Sequence, residues 1–442
     1  MSGIQLGLFI FAIMLALMVV RVPIGIAMFA VGAGGYVYLT GGGFAVLGNS
    51  LKNLAYARLS NYDLVVIPLF LMMGQFATHG GLSRALFRFV GAFIGHRKGG
   101  IAMAAIGACA GFGAICGSSV ATAATMGQVA LPELRRFGYS GSLATGALAA
   151  GGTLGIMIPP SVPLVIYAIL TQESIGKLFM AAVIPGTIAM LGYMLVVQIV
   201  VTLKPGSGPA GPRIAWPERI RSTLQVLPVL LVFVVVIVGI YGGWANVTEA
   251  ASIGVAACAV LALTLGGMRG KGLVDSALGT AQGTAMIFLV LLGADMLNTT
   301  LALSQMPVEL ANWVKASGLA PLLVMAIILV IYIFLGCVMD SLAMILLTIP
   351  IFYPMIMGLD FWGLKPEDKS IWFGILALMV VEIGLVHPPV GMNVYIINRL
   401  AGDVPLTETF KGVIPFLMSD AVRIVLLVLF PGLSLYLVHA FK

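Results

Sequence analysis

The sequence predicts an all-α polytopic membrane protein made of two inverted-topology repeats, each with five spanning passes and one re-entrant hairpin. Three observations carry that prediction. Of the 442 residues, 60% are hydrophobic and only 9% charged, and the mean hydropathy is +1.11. Soluble domains carry roughly 25% charged residues, so a water-facing surface cannot be assembled from this stock. Apolar runs of nearly the ~20 residues that a bilayer core demands recur from one end of the chain to the other. Finally, the order of those runs in the first half returns in the second.

The chain starts Met1-Ser2-Gly3-Ile4-Gln5, without the basic segment of a signal peptide, so the run 4–20 is read as a retained membrane helix. Spans follow at 23–40, 63–78, 141–171 and 174–202, with an apolar pair, 100–116 and 119–134, interrupted at Gly117-Ser118. The second half runs 222–242, 247–266, 281–298, 371–400 and 412–438, its pair being 318–336 and 341–357, interrupted around Met339-Asp340. If each pair enters and leaves on one side, five crossings per half force the halves into opposite orientations. The domains are then a first repeat 1–203 (hairpin 100–134, broken helix 141–171), a cytoplasmic linker 204–221, and a second repeat 222–442 (hairpin 318–357, broken helix 371–400). Leu82–Phe93 and Pro307–Val314 mix charge with apolar residues before each hairpin and read as helices lying along the interface. Direct likeness supports the duplication, since Leu154-Gly155-Ile156-Met157-Ile158-Pro159-Pro160 answers Ile383-Gly384-Leu385-Val386-His387-Pro388-Pro389.

The net charge of +7 sits in short loops, where membrane orientation is the ordinary cause, and nucleic-acid binding is not expected. An external N-terminus places fifteen Lys and Arg on the cytoplasmic side and seven on the other, so both termini are expected to be periplasmic. The four cysteines, Cys109, Cys116, Cys258 and Cys337, lie in apolar runs without paired metal-ligand spacing and read as packing residues.

Chemistry concentrates at four interruptions: Cys116-Gly117-Ser118-Ser119, Gly155–Pro160, Gly336–Ser341 and Gly384–Pro389. Each Pro-Pro frees backbone carbonyls inside a span, and irregular backbone at membrane depth is tolerated only inside protein or beside a cavity. Such carbonyls with a hairpin-tip hydroxyl suit sodium, as in other broken-helix transporters. Ser118 and Ser119 are the side-chain candidates in the first half. Asp340 adds a costly charge in the second. Glu382, Asp295 and His387 are further candidates for proton relays, whereas Asp420 and Arg423, three apart on one helix, read as an ion pair.

The stretches Ile67–Gly74, Gly117–Ala123, Leu154–Ser161, Ser174–Phe179 and His387–Asn393 together resemble the large membrane subunit of tripartite ATP-independent periplasmic (TRAP) transporters, the DctM-like family, over essentially the whole chain. The resemblance implies an elevator-type transporter with a scaffold and a moving transport domain. It implies sodium coupling through two or more ions and no organic cofactor. Carried onto this chain, sodium site 1 takes Cys116, Ser119, Gly155, Ile158 and Pro160, and site 2 takes Gly336, Asp340, His387 and Met392. Substrate is expected near Ser118, Thr122, Thr348 and Asn393. The family often has Ser where this chain has Cys116, a departure that leaves a carbonyl role unchanged and puts a side-chain role in doubt. It further implies a small organic acid delivered by a soluble periplasmic binding protein, a separate small four-helix membrane subunit, and a place in the bacterial inner membrane. A stand-alone symporter of the same architecture is the alternative. An intramembrane hydrolase built on Ser118, His387 and Asp340 finds no nucleophile motif.

Overall fold

A computed structural model describes residues 2–441, and among these the regular structure is entirely helical. The first half comprises α1 (Gly3–Val19), α2 (Ile24–Thr40), α3 (Gly43–Leu59), a short 3-10 turn at Tyr62–Val65, α4 (Val66–His79), α5 (Leu82–Ile94), α6 (Gly100–Cys116), α7 (Ser119–Arg136), α8 (Gly141–Met157), α9 (Val162–Thr171) and α10 (Ile175–Leu203). The second comprises α11 (Trp216–Tyr241), α12 (Val247–Thr264), α13 (Gly270–Leu303), α14 (Met306–Ala316), α15 (Pro321–Gly336), α16 (Ser341–Met357), α17 (Pro366–Gly384), α18 (Met392–Ala401), α19 (Leu406–Leu429) and α20 (Gly432–Ala440).

Three elements differ from the sequence reading. The stretch between the second and third spans, given no element above, forms α3, which meets α4 at a 60° bend. Asn49, Lys52, Asn53 and Arg58 break its apolar run, so it lacks a spanning signal. The span at 281–298 is the middle of the 34-residue α13, which at 1.5 Å per residue is about 50 Å long and outreaches the roughly 30 Å bilayer core. The run 412–438 is not one helix: α19 stops at Leu429 and α20 begins beyond Pro431, whose ring removes a donor from the helical ladder. Among the described residues five helices, α10, α11, α12, α13 and α19, are long and apolar enough to cross alone; α1 and α2, at 17 residues, fall just short.

Packing sorts the helices into two groups. α1, α2, α4, α11, α12 and α13 lie together, with α2 against α13 and α12 against α4; α6 to α10 and α15 to α20 form the other group, centred on α8 and α17. Small residues permit the close crossings, for a methyl added at Gly293 would strike the Gly25 carbonyl. The arm helices α5 and α14 bridge the groups, α5 touching α6 and α11, α14 touching α1 and α16.

Chain ends and hairpin feet fall on two faces. Glu309 of α14 accepts from Gly3 N–H at 3.3 Å and Ile4 N–H at 3.1 Å, and Lys369 donates to the Met357 and Leu359 carbonyls at the end of α16. His439 meets Asp368 at 2.8 Å, so the start of α1 and the end of α20 share the face of the α15–α16 feet. At the opposite face the linker is bound to the α6–α7 hairpin, with Gly99 N–H donating to Gly208 O and Ser140 N–H to Ser207 O, each at 2.9 Å.

Candidate functional site

Polar caps restart the helices after the hairpin tips. The Ser118 hydroxyl accepts from Ala121 N–H at 3.4 Å to start α7, and Asp340 Oδ1 accepts from Ala343 N–H at 3.3 Å to start α16. Ser118 and Asp340 therefore occupy equivalent places in the two hairpins. Gly117 turns the first tip at φ +62°, a backbone state open to glycine without penalty. Both tips rest on helix breaks, backbone against backbone. A methyl on Gly113 would overlap Gly155 Cα, and one on Gly336 would stand 2.9 Å from Gly384 Cα. Both Pro-Pro bonds, 159–160 and 388–389, are cis.

At the first junction Ser119 Oγ donates to the Thr153 carbonyl at 3.5 Å. The added methyl of a residue at 155 would lie 2.5 Å from Thr122 Oγ1 and 2.7 Å from Ser118 O, and one at Gly117 would lie 3.1 Å from Pro160 O. Ser118, Ser119, Thr122, Gly155 and Pro160 are thus brought together. Cys116 backs this junction from the α4 side, where Gly74 approaches its backbone, and Ile158 turns toward Gly186 of α10. Asn393 of α18 reaches α8, its Nδ2 donating to Ala149 O at 3.5 Å. Thr122 Oγ1, Ser161 Oγ and Asn393 Oδ1 are buried without a hydrogen-bond partner, a cost of about 1–3 kcal/mol each. Unspent oxygen acceptors are the ligand type that hard cations take, and those of Thr122 and Ser161 lie on the two segments that meet at this junction.

The second junction is built differently. Gly336 faces Gly384 of the break, Asn393 N–H beside Met392 donates to Leu385 O at 3.0 Å, and His387 Nδ1 contacts the neighbouring Pro388 carbonyl, with Cys337 Sγ 3.6 Å away, while the contacts of Asp340 are with the start of its own helix. Pro388, Pro389 and Val390 are exposed, whereas Pro159, Pro160 and Ser161 are buried. Thr348 stands apart from the other substrate candidates: its hydroxyl lies 2.7 Å from both Met344 O and Tyr332 OH inside the second hairpin.

One cluster behind α8 joins the expected Asp420–Arg423 pair and the relay candidate Glu382 to Tyr193 and Thr153, which escaped the sequence reading. Arg423 Nη2 donates to Asp420 Oδ1 at 2.7 Å, Tyr193 OH donates to Asp420 Oδ2 at 2.9 Å, and Thr153 Oγ1 lies 3.3 Å from Tyr193 OH. Glu382, only 1% exposed, faces this group with neither carboxyl oxygen hydrogen-bonded. Asp295 is held by a two-pronged Arg58 contact, which joins α3 to α13. No spacing marks Thr153 or Tyr193 in the sequence; only the fold aligns them.

A family model described as tripartite ATP-independent periplasmic transporter, DctM component, matches residues 11–433. The chain belongs to this TRAP transporter family. It is therefore a large membrane subunit of such a transporter, a multi-pass membrane protein and not an enzyme. The Pseudomonas aeruginosa C4-dicarboxylate TRAP transporter large permease protein DctM is 36% identical over 88% of this chain and 90% of its own length. The Vibrio cholerae sialic acid TRAP transporter large permease protein SiaM is 30% identical over 87% and 88%. Among solved structures, the Alcanivorax borkumensis YdaH transporter superposes with a TM-score of 0.61 at 14% identity, over 88% of this chain and 89% of that one. That likeness concerns the fold alone.

Proposed function

We propose that this TRAP transporter subunit carries out sodium-coupled secondary active uptake of a small organic acid by an elevator movement. A periplasmic binding protein supplies the acid and a separate small four-helix membrane subunit completes the transporter in the bacterial inner membrane, with both termini periplasmic. The observation that carries the proposal is the pair of junctions where a hairpin tip meets a helix break on facing glycines, Gly113 with Gly155 and Gly336 with Gly384. Inverted repeats are supported by the exchange of packing partners: α9 lies on α16 as α18 lies on α7, and α5 meets α11 as α14 meets α1.

In this reading the unpartnered oxygens of Thr122 and Ser161, the Ser119 hydroxyl and the Pro160 carbonyl hold sodium at site 1. Gly336, Asp340, His387 and Met392 serve site 2, where the Asp340 carboxylate supplies charge. Ser118 and Asn393 face the substrate beside the first junction. The two relatives above are named for carboxylate-bearing solutes, C4-dicarboxylates and sialic acid. Each net positive charge moved inward through 100 mV contributes about 2.3 kcal/mol. Two sodium ions with a monoanion exploit the membrane potential, whereas two with a dianion rely on the sodium gradient.

Uptake into proteoliposomes tests this, with the small subunit in the membrane, the binding protein outside, and a panel of labelled organic acids. Accumulation of one acid that requires both the binding protein and inward sodium is expected. Accumulation without the binding protein points to the stand-alone symporter, and indifference to sodium removes the ion sites.

A further inference from the structure

Ser118, Ala121, Thr125, Gln128, Pro132 and Arg136 recur at three- and four-residue steps and form one stripe along α7. Exposure rises down it: Ser118, Ala121 and Thr125 are half-buried, whereas Gln128, Pro132 and Arg136 are open. The open end is one wall of a cavity of about 810 Å³, closed on its other sides by α5, the linker and α11. Arg84, Arg88, Arg136 and Arg221 line it against Glu133 and Glu218, four positive charges less two negative, or +2. Arg136 pairs with Glu133 at 3.6 Å. Among the described residues Arg84, Arg88 and Arg221 form no ion pair. The same three arginines line an adjoining space of about 520 Å³. On α16 the positions equivalent to Ala121 and Thr125, Ala343 and Leu347, are wholly buried, whereas Pro354 and Gly358 farther down are exposed.

We propose that this arginine-walled cavity is an anion vestibule, through which a small organic anion passes along the α7 stripe between the first hairpin tip and the aqueous phase beyond Arg136. The proposal rests on the transport reading but is tested without it. Unpaired guanidinium groups walled by low-dielectric protein raise the local potential and concentrate anions.

The four native cysteines are buried, so Gln128→Cys in the full chain supplies an accessible thiol for paired methanethiosulfonate reagents, one carrying a sulfonate and one a quaternary ammonium. Rates are normalised to a free thiol. A potential of about one kT per unit charge gives the anionic reagent an advantage of about sevenfold. The advantage is expected to vanish near 1 M salt, where the screening length falls to about 3 Å, and in the R84Q/R88Q/R221Q background. Thr125→Cys is expected to react and Leu347→Cys to stay unlabelled. Equal normalised rates at Gln128→Cys, or an inert Thr125→Cys, overturn the vestibule. So does labelling that anionic-lipid vesicles block and zwitterionic vesicles allow, because a headgroup then fills the cavity. Labelling needs neither sodium nor substrate, so its failure leaves the uptake result standing, and the converse holds.

Discussion

The two hairpins share a plan and differ in surroundings. The first tip lies against a buried break, Pro159–Ser161, while its second arm, α7, is open along one face. The second tip lies against an exposed break, Pro388–Val390, while its second arm, α16, is packed between α9, α13 and α14. Equivalent backbone seats thus serve sites with different access, and it is the neighbours of each hairpin that decide which face is reachable. In the transport reading proposed above, this inequality gives the two junctions different routes to water.

The largest test of the difference lies behind α8. The Asp420–Arg423 pair, Tyr193 and Thr153 reach Ser119 of the first junction. Arg423→Met leaves a buried carboxylate without its cation, a loss of about 3–5 kcal/mol. Thermal unfolding in detergent is expected to fall accordingly, and sodium affinity at the first junction with it. A variant of wild-type stability shows the cluster to be dispensable there.

The shared part of the plan is tested at the facing glycines. Gly155→Val and Gly384→Val each push side-chain atoms into backbone, costing about 1–3 kcal/mol or more. Similar losses of thermal stability and transport are expected from both. A silent Gly384→Val, beside the exposed break, would mean that the second seat is loose and that the likeness ends at the first.

The smallest effect separates the two caps. Ser118→Ala removes a cap worth about 1 kcal/mol. Asp340→Asn keeps a capping oxygen but loses the charge, so its unfolding midpoint is expected to stay near wild type while half-saturation by sodium rises. Equal sodium dependence before and after the change removes Asp340 from site 2.

Both hairpin tips were legible because Gly117-Ser118 and Met339-Asp340 interrupt otherwise unbroken apolar runs. So were the two breaks, since Pro-Pro within a span announces itself. α3 was not, because Asn49, Lys52, Asn53 and Arg58 interrupt its apolar residues on more than one side of the helix and remove the only signal that a spanning window detects. The stop at Pro431 was masked by apolar residues on both sides of it. At the site, pattern placed Ser118 and Ser119 on a tip but could not give the rotation of α16, which turns Thr348 toward Tyr332. The Thr153–Tyr193–Asp420 contacts join three helices distant in sequence, a relation that periodicity does not encode.

The linker's bonds to the first hairpin set a mechanical limit. Between Leu203, where α10 ends, and Ser207, which is tied to Ser140, lie only a few residues, so α10 and the hairpin foot cannot part by more than about 14 Å. From Gly211, whose N–H is tied to the Gly95 carbonyl at 2.9 Å, to Trp216 at the start of α11 there are five steps, a fully extended reach of about 18 Å. The same short segment is thus a tight coupling on one side and a leash on the other. Its slack caps how far the proposed elevator movement could carry the hairpin group past α11 before main-chain hydrogen bonds must break.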